Sequence, residues 1–209
     1  MRRLPFVVAV MVIAVLPMTA HAGVKRPVMG GPRLNADQIR VWFAEKSAKF
    51  DKNPCFTHGK TVHDMAKLFV KEGKTEGVRG DIAFAQGVLE SDYFTFSGRV
   101  PCSANNYSGL GATDGTSDYA TFGFPRVGVR AQIQHLRRYA DPTAKVQALH
   151  KPLVDPRFRL VKPPGKAPSW DNMGNGNWAT SPIYAGCVMK IYNNMLNVNG
   201  LSKEGRLPC

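Results

Sequence analysis

The chain has 209 residues, 44% of them hydrophobic, and carries 28 Lys and Arg against 15 Asp and Glu, a formal charge of +13. No basic run is dense enough to read as a nucleic-acid tract. No Cys-x-x-Cys pair is present and the histidines lack metal-ligand spacing, so dithiol-redox and zinc chemistry are also set aside and no cofactor or metal is expected.

Met1 to Ala22 holds Arg2 and Arg3, an apolar stretch from Phe6 to Leu16, and Ala20-His21-Ala22, the small-x-small pattern of a signal-peptidase site. Residues 1–22 are read as an export signal, and the protein as secreted or periplasmic. Nothing downstream reaches the roughly 18 apolar residues of a membrane span, so no stable membrane insertion is expected after cleavage. Loss of Arg2 and Arg3 leaves +11, which in an exported protein fits attraction to an anionic envelope polymer such as peptidoglycan bearing acidic groups. Export also gives meaning to Cys55, Cys102, Cys187 and Cys209, an even set that suggests two disulfides. Of the three possible pairings, Cys55 with Cys102 and Cys187 with Cys209 is favoured, the second because it ties the C-terminus onto the last helix.

Residues 23–34, rich in Gly, Pro and basic side chains, read as a flexible lead-in to one domain over 35–209. Asn35 is placed to cap a helix running to about Phe50, with Ile39, Trp42, Phe43 and Phe50 on its apolar face. Thr61 to Asp64 has capping-box spacing and opens a second helix, whose lysines from Lys67 to Lys74 read as a solvated face. Arg79-Gly80-Asp81 spells an adhesion tripeptide but precedes an apolar helix, where Asp81 serves as N-cap or first-turn acid.

That third helix ends at Glu90. Ile82, Ala85 and Leu89 form one stripe and Phe84 and Val88 another, so the helix is expected to be largely buried. Burial and the partial negative charge of the helix C-terminus both disfavour a carboxylate, and the Glu90 pKa is expected to be raised. A protonated acid there can protonate a glycosidic oxygen. Gly87, one turn earlier, leaves room that a sugar could occupy. The alternative for Glu90 is a helix end that is solvated or paired with Lys or Arg.

From Pro101 to Pro125 short Asn, Gly, Ser and Thr elements predict loops around a small β-hairpin. A fourth helix is predicted over Val127 to Ala140, with Val129, Ile133, Leu136 and Ala140 inward and its arginines and glutamines on the other faces. His135 reads as a surface or satisfied core residue. A proline-rich connection follows, and Ser181-Pro182 is expected to cap a last helix containing Val188, Ile191, Met195 and Leu196. The sum is a mainly helical α+β domain. Trp178, Trp170 and Tyr107 are candidate stacking platforms for sugar, Tyr107 and Trp178 being preferred, against the alternative that large aromatics are core.

Four strings in order resemble one family: Ala85-Gln-Gly-Val-Leu-Glu-Ser91, Asn105-Asn-Tyr-Ser-Gly-Leu-Gly111, Gly128-Val-Arg-Ala-Gln-Ile-Gln-His-Leu136 and Trp178-Ala-Thr-Ser-Pro-Ile-Tyr184. Over about Arg79 to Leu196 the chain is similar to the bacterial glucosaminidases of glycoside hydrolase family 73. The resemblance implies a lysozyme-like fold with a small flexible β-hairpin lobe, and peptidoglycan glycan strands as substrate. It implies Glu90 as catalytic acid, Tyr184 as a cleft tyrosine able to orient the N-acetyl group, and a second catalytic group on the hairpin. The hairpin carboxylates are Asp114 and Asp118, of which Asp114 on its Gly-rich loop is favoured as catalytic; Asp118, with Asn106, Tyr107 and Trp178, would contact substrate. If both aspartates are turn formers, the substrate's N-acetyl group could act as nucleophile. The chain departs from the family in Asp92-Tyr93-Phe94 after the Glu-Ser pair and in Ser181. The expected activity is endo-β-N-acetylglucosaminidase; the competing readings are a muramidase, a lytic transglycosylase, or a catalytically weak wall-binding protein.

Overall fold

A computed structural model describes residues 25–112 and 118–209. Within them lie five α-helices: α1 (Ala36–Phe50), α2 (Val62–Glu76), α3 (Gly80–Glu90), α4 (Pro125–Ala140) and α5 (Tyr184–Val198). The mainly helical expectation holds. Residues 1–24, with the expected export signal, lie outside the described residues, as do 113–117, with Asp114.

Local chemistry sets the first two helices. The Asn35 side chain accepts from the Gln38 amide while the Gln38 side chain accepts from the Asn35 amide, and Thr61 and Asp64 make the same reciprocal box on α2. Each box satisfies two amides that the first turn cannot pair, stabilising it by roughly 1 kcal/mol. α2 packs on α1, α3 and α4, and α3 packs on α5, so α3 is the buried axis of the domain. Its Phe84 packs edge-on against Phe94 at 5.2 Å and Phe69 at 5.4 Å, and Trp42, Phe43 and Tyr107 extend the same buried aromatic cluster.

Several expectations are corrected by packing. Residues 25–34 are not loose: Val28 and Leu34 are buried, and isolated bridges join Pro27 to Ser169 and Met29 to Val78. Asp81 lies in the first turn but does not cap it; its Oδ2 accepts from the amides of Arg33 and Leu34 and from the Tyr192 hydroxyl, tying the lead-in to α3 and α5. Phe50 is 49% exposed instead of facing the core. On α4 the side chains of Gln132, Gln134 and Arg137 are buried, because each meets a fixed partner: Ala83 carbonyl, the Val154 amide and Glu76. His135 meets its expectation as a satisfied core residue, buried with its Nδ1 2.7 Å from Asp155. Ser181 does not cap α5 with its side chain: Ile183 occupies the cap position with no side-chain bond, and Ser181 contributes only its carbonyl, which accepts from Tyr184 N at 3.3 Å.

The stretch between α3 and α4 contains no strand among the described residues. A 3-10 turn at Cys102–Ala104 is followed by a loop pinned by Ala120 N donating to Leu110 O (2.8 Å) and Phe122 N donating to Ala104 O (2.9 Å). The hairpin lobe is therefore not seen in what is described. Both favoured disulfides are present, Cys55–Cys102 and Cys187–Cys209. With a sequence separation of 47 between its cysteines, the first removes about 4 kcal/mol of loop-closure entropy from the unfolded chain on the chain-entropy estimate.

Candidate active site

The end of α3 is made rigid before it is made reactive. Ser91 Oγ donates to Gly87 O and accepts from Phe94 N, closing the helix. Asp92, Tyr93 and Phe94 then adopt φ of 49°, 58° and 59°, three successive non-glycine residues in the left-handed region. Each such residue costs roughly 1–2 kcal/mol, so the surroundings must hold them there. They do: Tyr93 N donates to Val88 O, Cys55 N donates to Phe94 O, Phe94 fills the core, and the Asp92 carboxylate takes Lys52 at 2.7 Å. The Lys52 bond is the main reason the Asp92 pKa lies below the usual carboxylate value. The Cys55–Cys102 bridge clamps the same segment.

Glu90 is thus presented on a fixed stem. Its Oε1 accepts from the Tyr184 hydroxyl at 2.5 Å and from Trp178 Nε1 at 3.3 Å. Its Oε2 faces Gly109, where an added Cβ would lie 3.5 Å from that oxygen, so the absence of a side chain keeps this face open. By surface area Glu90 is exposed, yet its pKa is raised, with desolvation as the leading cause and the two hydrogen bonds opposing it. The two facts fit one geometry: protein crowds the carboxyl from behind while one side opens to a cleft. A substrate filling the cleft would complete the desolvation.

A directional chain stands behind Tyr184. Gln132 Nε2 donates both to Ala83 O (3.0 Å) and to Gln86 Oε1 (2.8 Å), and Gln86 Nε2 donates to the Tyr184 hydroxyl (2.9 Å). Because Tyr184 already accepts from Gln86, its one proton points to Glu90. Burial, and then the Glu90 charge, push the Tyr184 pKa well above its ordinary value, so it remains a donor.

The cleft beside Glu90 has a volume of about 250 Å³ and is lined by Ser91, Phe96, Arg99, Asn106 and Gly109. Of the residues singled out from sequence, Glu90, Tyr184 and Trp178 come together. Trp178 touches the acid itself and is held by edge-on packing on His135 at 5.1 Å. Asn106 reaches the cleft, but its side chain is committed to the loop, donating to Leu110 O and Ala120 O and accepting from Leu110 N. Tyr107 is no platform: it is 1% exposed, packed on Phe94, with its hydroxyl donating to Asn105 Oδ1. Trp170 is likewise core. Asp118 is exposed and does not line the cleft. Gly87 faces the Phe69 and Phe94 rings, so its missing side chain serves core packing and not a sugar.

The sequence reading passed over Gly109, Phe96, Arg99, Gln86 and Gln132. Gln86 was within reach: it sits four residues before Glu90 on the same helix face. Phe96, Arg99 and Gly109 had no such signal, since their approach depends on how two loops fold back.

The sequence pattern of the mannosyl-glycoprotein endo-beta-N-acetylglucosaminidase family matches residues 66–197. The chain is also 37% identical over 143 residues to an uncharacterized protein of Borreliella burgdorferi, covering 68% of this chain and 67% of that one. The matched region contains α3, the cleft loops, α4 and nearly all of α5, and hence every side chain that surrounds Glu90. With this coverage, the chain belongs to the glucosaminidase family of glycoside hydrolases.

Proposed function

We propose that the protein is an exported endo-β-N-acetylglucosaminidase that hydrolyses the β-1,4 bond between N-acetylglucosamine and N-acetylmuramic acid in peptidoglycan, with Glu90 as general acid. The observation that carries the reading is the split use of the carboxyl: Oε1 engaged by Tyr184 and Trp178, Oε2 open to the cleft, with the pKa raised. Protonated Glu90 donates from Oε2 to the glycosidic oxygen as the bond to the anomeric carbon breaks. The carboxylate left behind gains from its two donors, since hydrogen bonds to a charged acceptor are roughly twice as strong as neutral ones. Water then adds to the anomeric carbon, and its proton restores Glu90.

The second group in this reading is Asp114, with the substrate's N-acetyl oxygen as the substitute; Asp118, exposed and outside the cleft lining, supports that role less. Export rests on the pattern of residues 1–22, and the basic charge suits an acidic wall polymer. A second reading, a lytic transglycosylase, draws support from Glu90 being the one carboxylate among the described cleft-lining residues, because a single acid suffices for that reaction.

Mass spectrometry of borohydride-reduced fragments released from purified peptidoglycan tests both. Reduced N-acetylglucosamine ends that disappear with Glu90→Gln are expected. Anhydro-muramic ends would transfer the function to the second reading, and reduced muramic ends to a muramidase. Release that persists in Glu90→Gln would overturn the assignment of the acid.

A further inference from the structure

A larger groove lies apart from the acid, between α1, α5 and the C-terminal tail, with a volume of about 870 Å³. None of its lining residues lines the Glu90 cleft. Its size is that of a peptide-sized ligand site rather than an ion site. Trp42, Phe50 and Tyr93 supply an aromatic side: Trp42 and Tyr93 stack at 6.2 Å, Phe50 and Tyr93 meet at 5.7 Å, and Phe50 is the exposed member.

Around these rings stand Lys46 and Lys49 from α1, Lys190 from α5, and Lys203 and Arg206 from the tail. Lys46 is paired with Glu45; Lys49, Lys190, Lys203 and Arg206 are exposed and meet no carboxylate among the described residues. The tail wall is built in place. Cys209 is bridged to Cys187 of α5, Pro208 O sits against Gly186 where any Cβ would collide, and the Asn193 side chain donates its Nδ2 to Glu204 O while its Oδ1 accepts from Glu204 N. Like charges on a stapled wall repel one another, and an anionic ligand relieves that cost.

We infer that this groove is a second binding site, for the carboxylate-bearing stem peptides of peptidoglycan, which would hold the wall while the Glu90 cleft acts on the glycan. The inference rests on the proposed function for its choice of polymer. The chemistry favours a carboxylated peptide over a phosphate polymer for two reasons. Single lysines spread along three segments match singly charged, spaced carboxylates, and the aromatic side matches the apolar bodies of peptide residues, which a bare polyphosphate lacks.

The test uses the full mature chain carrying Glu90→Gln, so that wall is bound without digestion, and measures sedimentation with insoluble sacculi. Three sacculus preparations are compared: intact, stripped of stem peptides by an amidase, and stripped of phosphate polymers by acid. Binding should weaken about tenfold or more on peptide-stripped sacculi and stay unchanged on phosphate-stripped ones. Lys190→Ala/Lys203→Ala/Arg206→Ala, added to the same protein, should weaken binding to intact sacculi by a similar factor, whereas the triple Lys/Arg-exchanged variant that keeps all three charges should bind normally. The alanine triple in an otherwise unaltered chain should still hydrolyse short peptide-free oligosaccharides. Equal binding to intact and peptide-stripped sacculi overturns the inference, and loss only on phosphate-stripped sacculi assigns the groove to a phosphate polymer instead. If the alanine triple does not fold, the comparison of sacculi alone decides. A wild-type chain that releases no sugar ends would sink the proposed function while leaving these binding results readable.

Discussion

α3 carries a carboxyl at each end, Asp81 and Glu90, and the two have opposite fates. Asp81 is wholly buried and surrounded by donors: the Arg33 and Leu34 amides and the Tyr192 hydroxyl on Oδ2, the Ile82 amide on Oδ1. All its hydrogen-bonding capacity is spent within the fold. Glu90 sits where the helix amides run out, receives donors on one oxygen only, and keeps the other toward the cleft. Burial by itself does not leave a carboxyl available to a ligand; an incomplete set of partners facing an open volume does.

The comparison can be broken most severely at Glu90. Glu90→Gln should lower glycan release from peptidoglycan by roughly a thousandfold, within the usual contribution of general acid catalysis, with the fold intact by circular dichroism. At the other end, Asp81→Asn should lower stability by roughly 2–3 kcal/mol in denaturant titration, because buried donors lose a charged acceptor, while activity per folded molecule is retained. A converse result, stable but inactive Asp81→Asn, would merge the two roles.

Tyr184→Phe sharpens the contrast at Glu90. Removing a bond that lowers the Glu90 pKa raises it further, and a general acid loses activity as pH rises through its pKa. The basic limb of the kcat/KM profile should therefore move to higher pH, accompanied by a loss of about tenfold in rate from the weaker support of the carboxylate. An unmoved limb would mean that another group titrates there. The smallest effect is on stability. A carboxyl whose folded pKa exceeds its unfolded one binds protons more readily when folded, so its contribution is full below the unfolded value and is lost as pH rises to the folded value. Glu90→Gln should accordingly melt above wild type near neutral pH and match it in acid, and thermal scans across pH would read the difference.

Much of the fold was legible from short-range chemistry. The Asn35 and Thr61 boxes, the apolar run of α3 and the periodicity of α4 are all written within a few residues of where they act, and the carboxyl closing α3 was singled out from its helix alone. Signals failed where a side chain's role depends on distant partners. Tyr107 and Trp178 are both large aromatics on loops, yet one is enclosed by Phe69 and Phe94 and the other meets Glu90, 88 residues away in sequence. Gln132 and Arg137 were placed only off the inward stripe by periodicity, which counts turns of a helix but not the carbonyl or carboxylate waiting on the next one.

By itself the amino-acid sequence determined that the chain is a mainly helical member of the glucosaminidase family with a carboxyl, Glu90, closing α3, because helix propensity, capping and family strings are local in the chain. Only the tertiary structure decided that Asp81 binds the lead-in, that Tyr184 and Trp178 share one oxygen of Glu90, and that five basic side chains from three segments border one groove. Desolvation, donor supply and charge repulsion are sums over spatial neighbours, and those neighbours are chosen by packing.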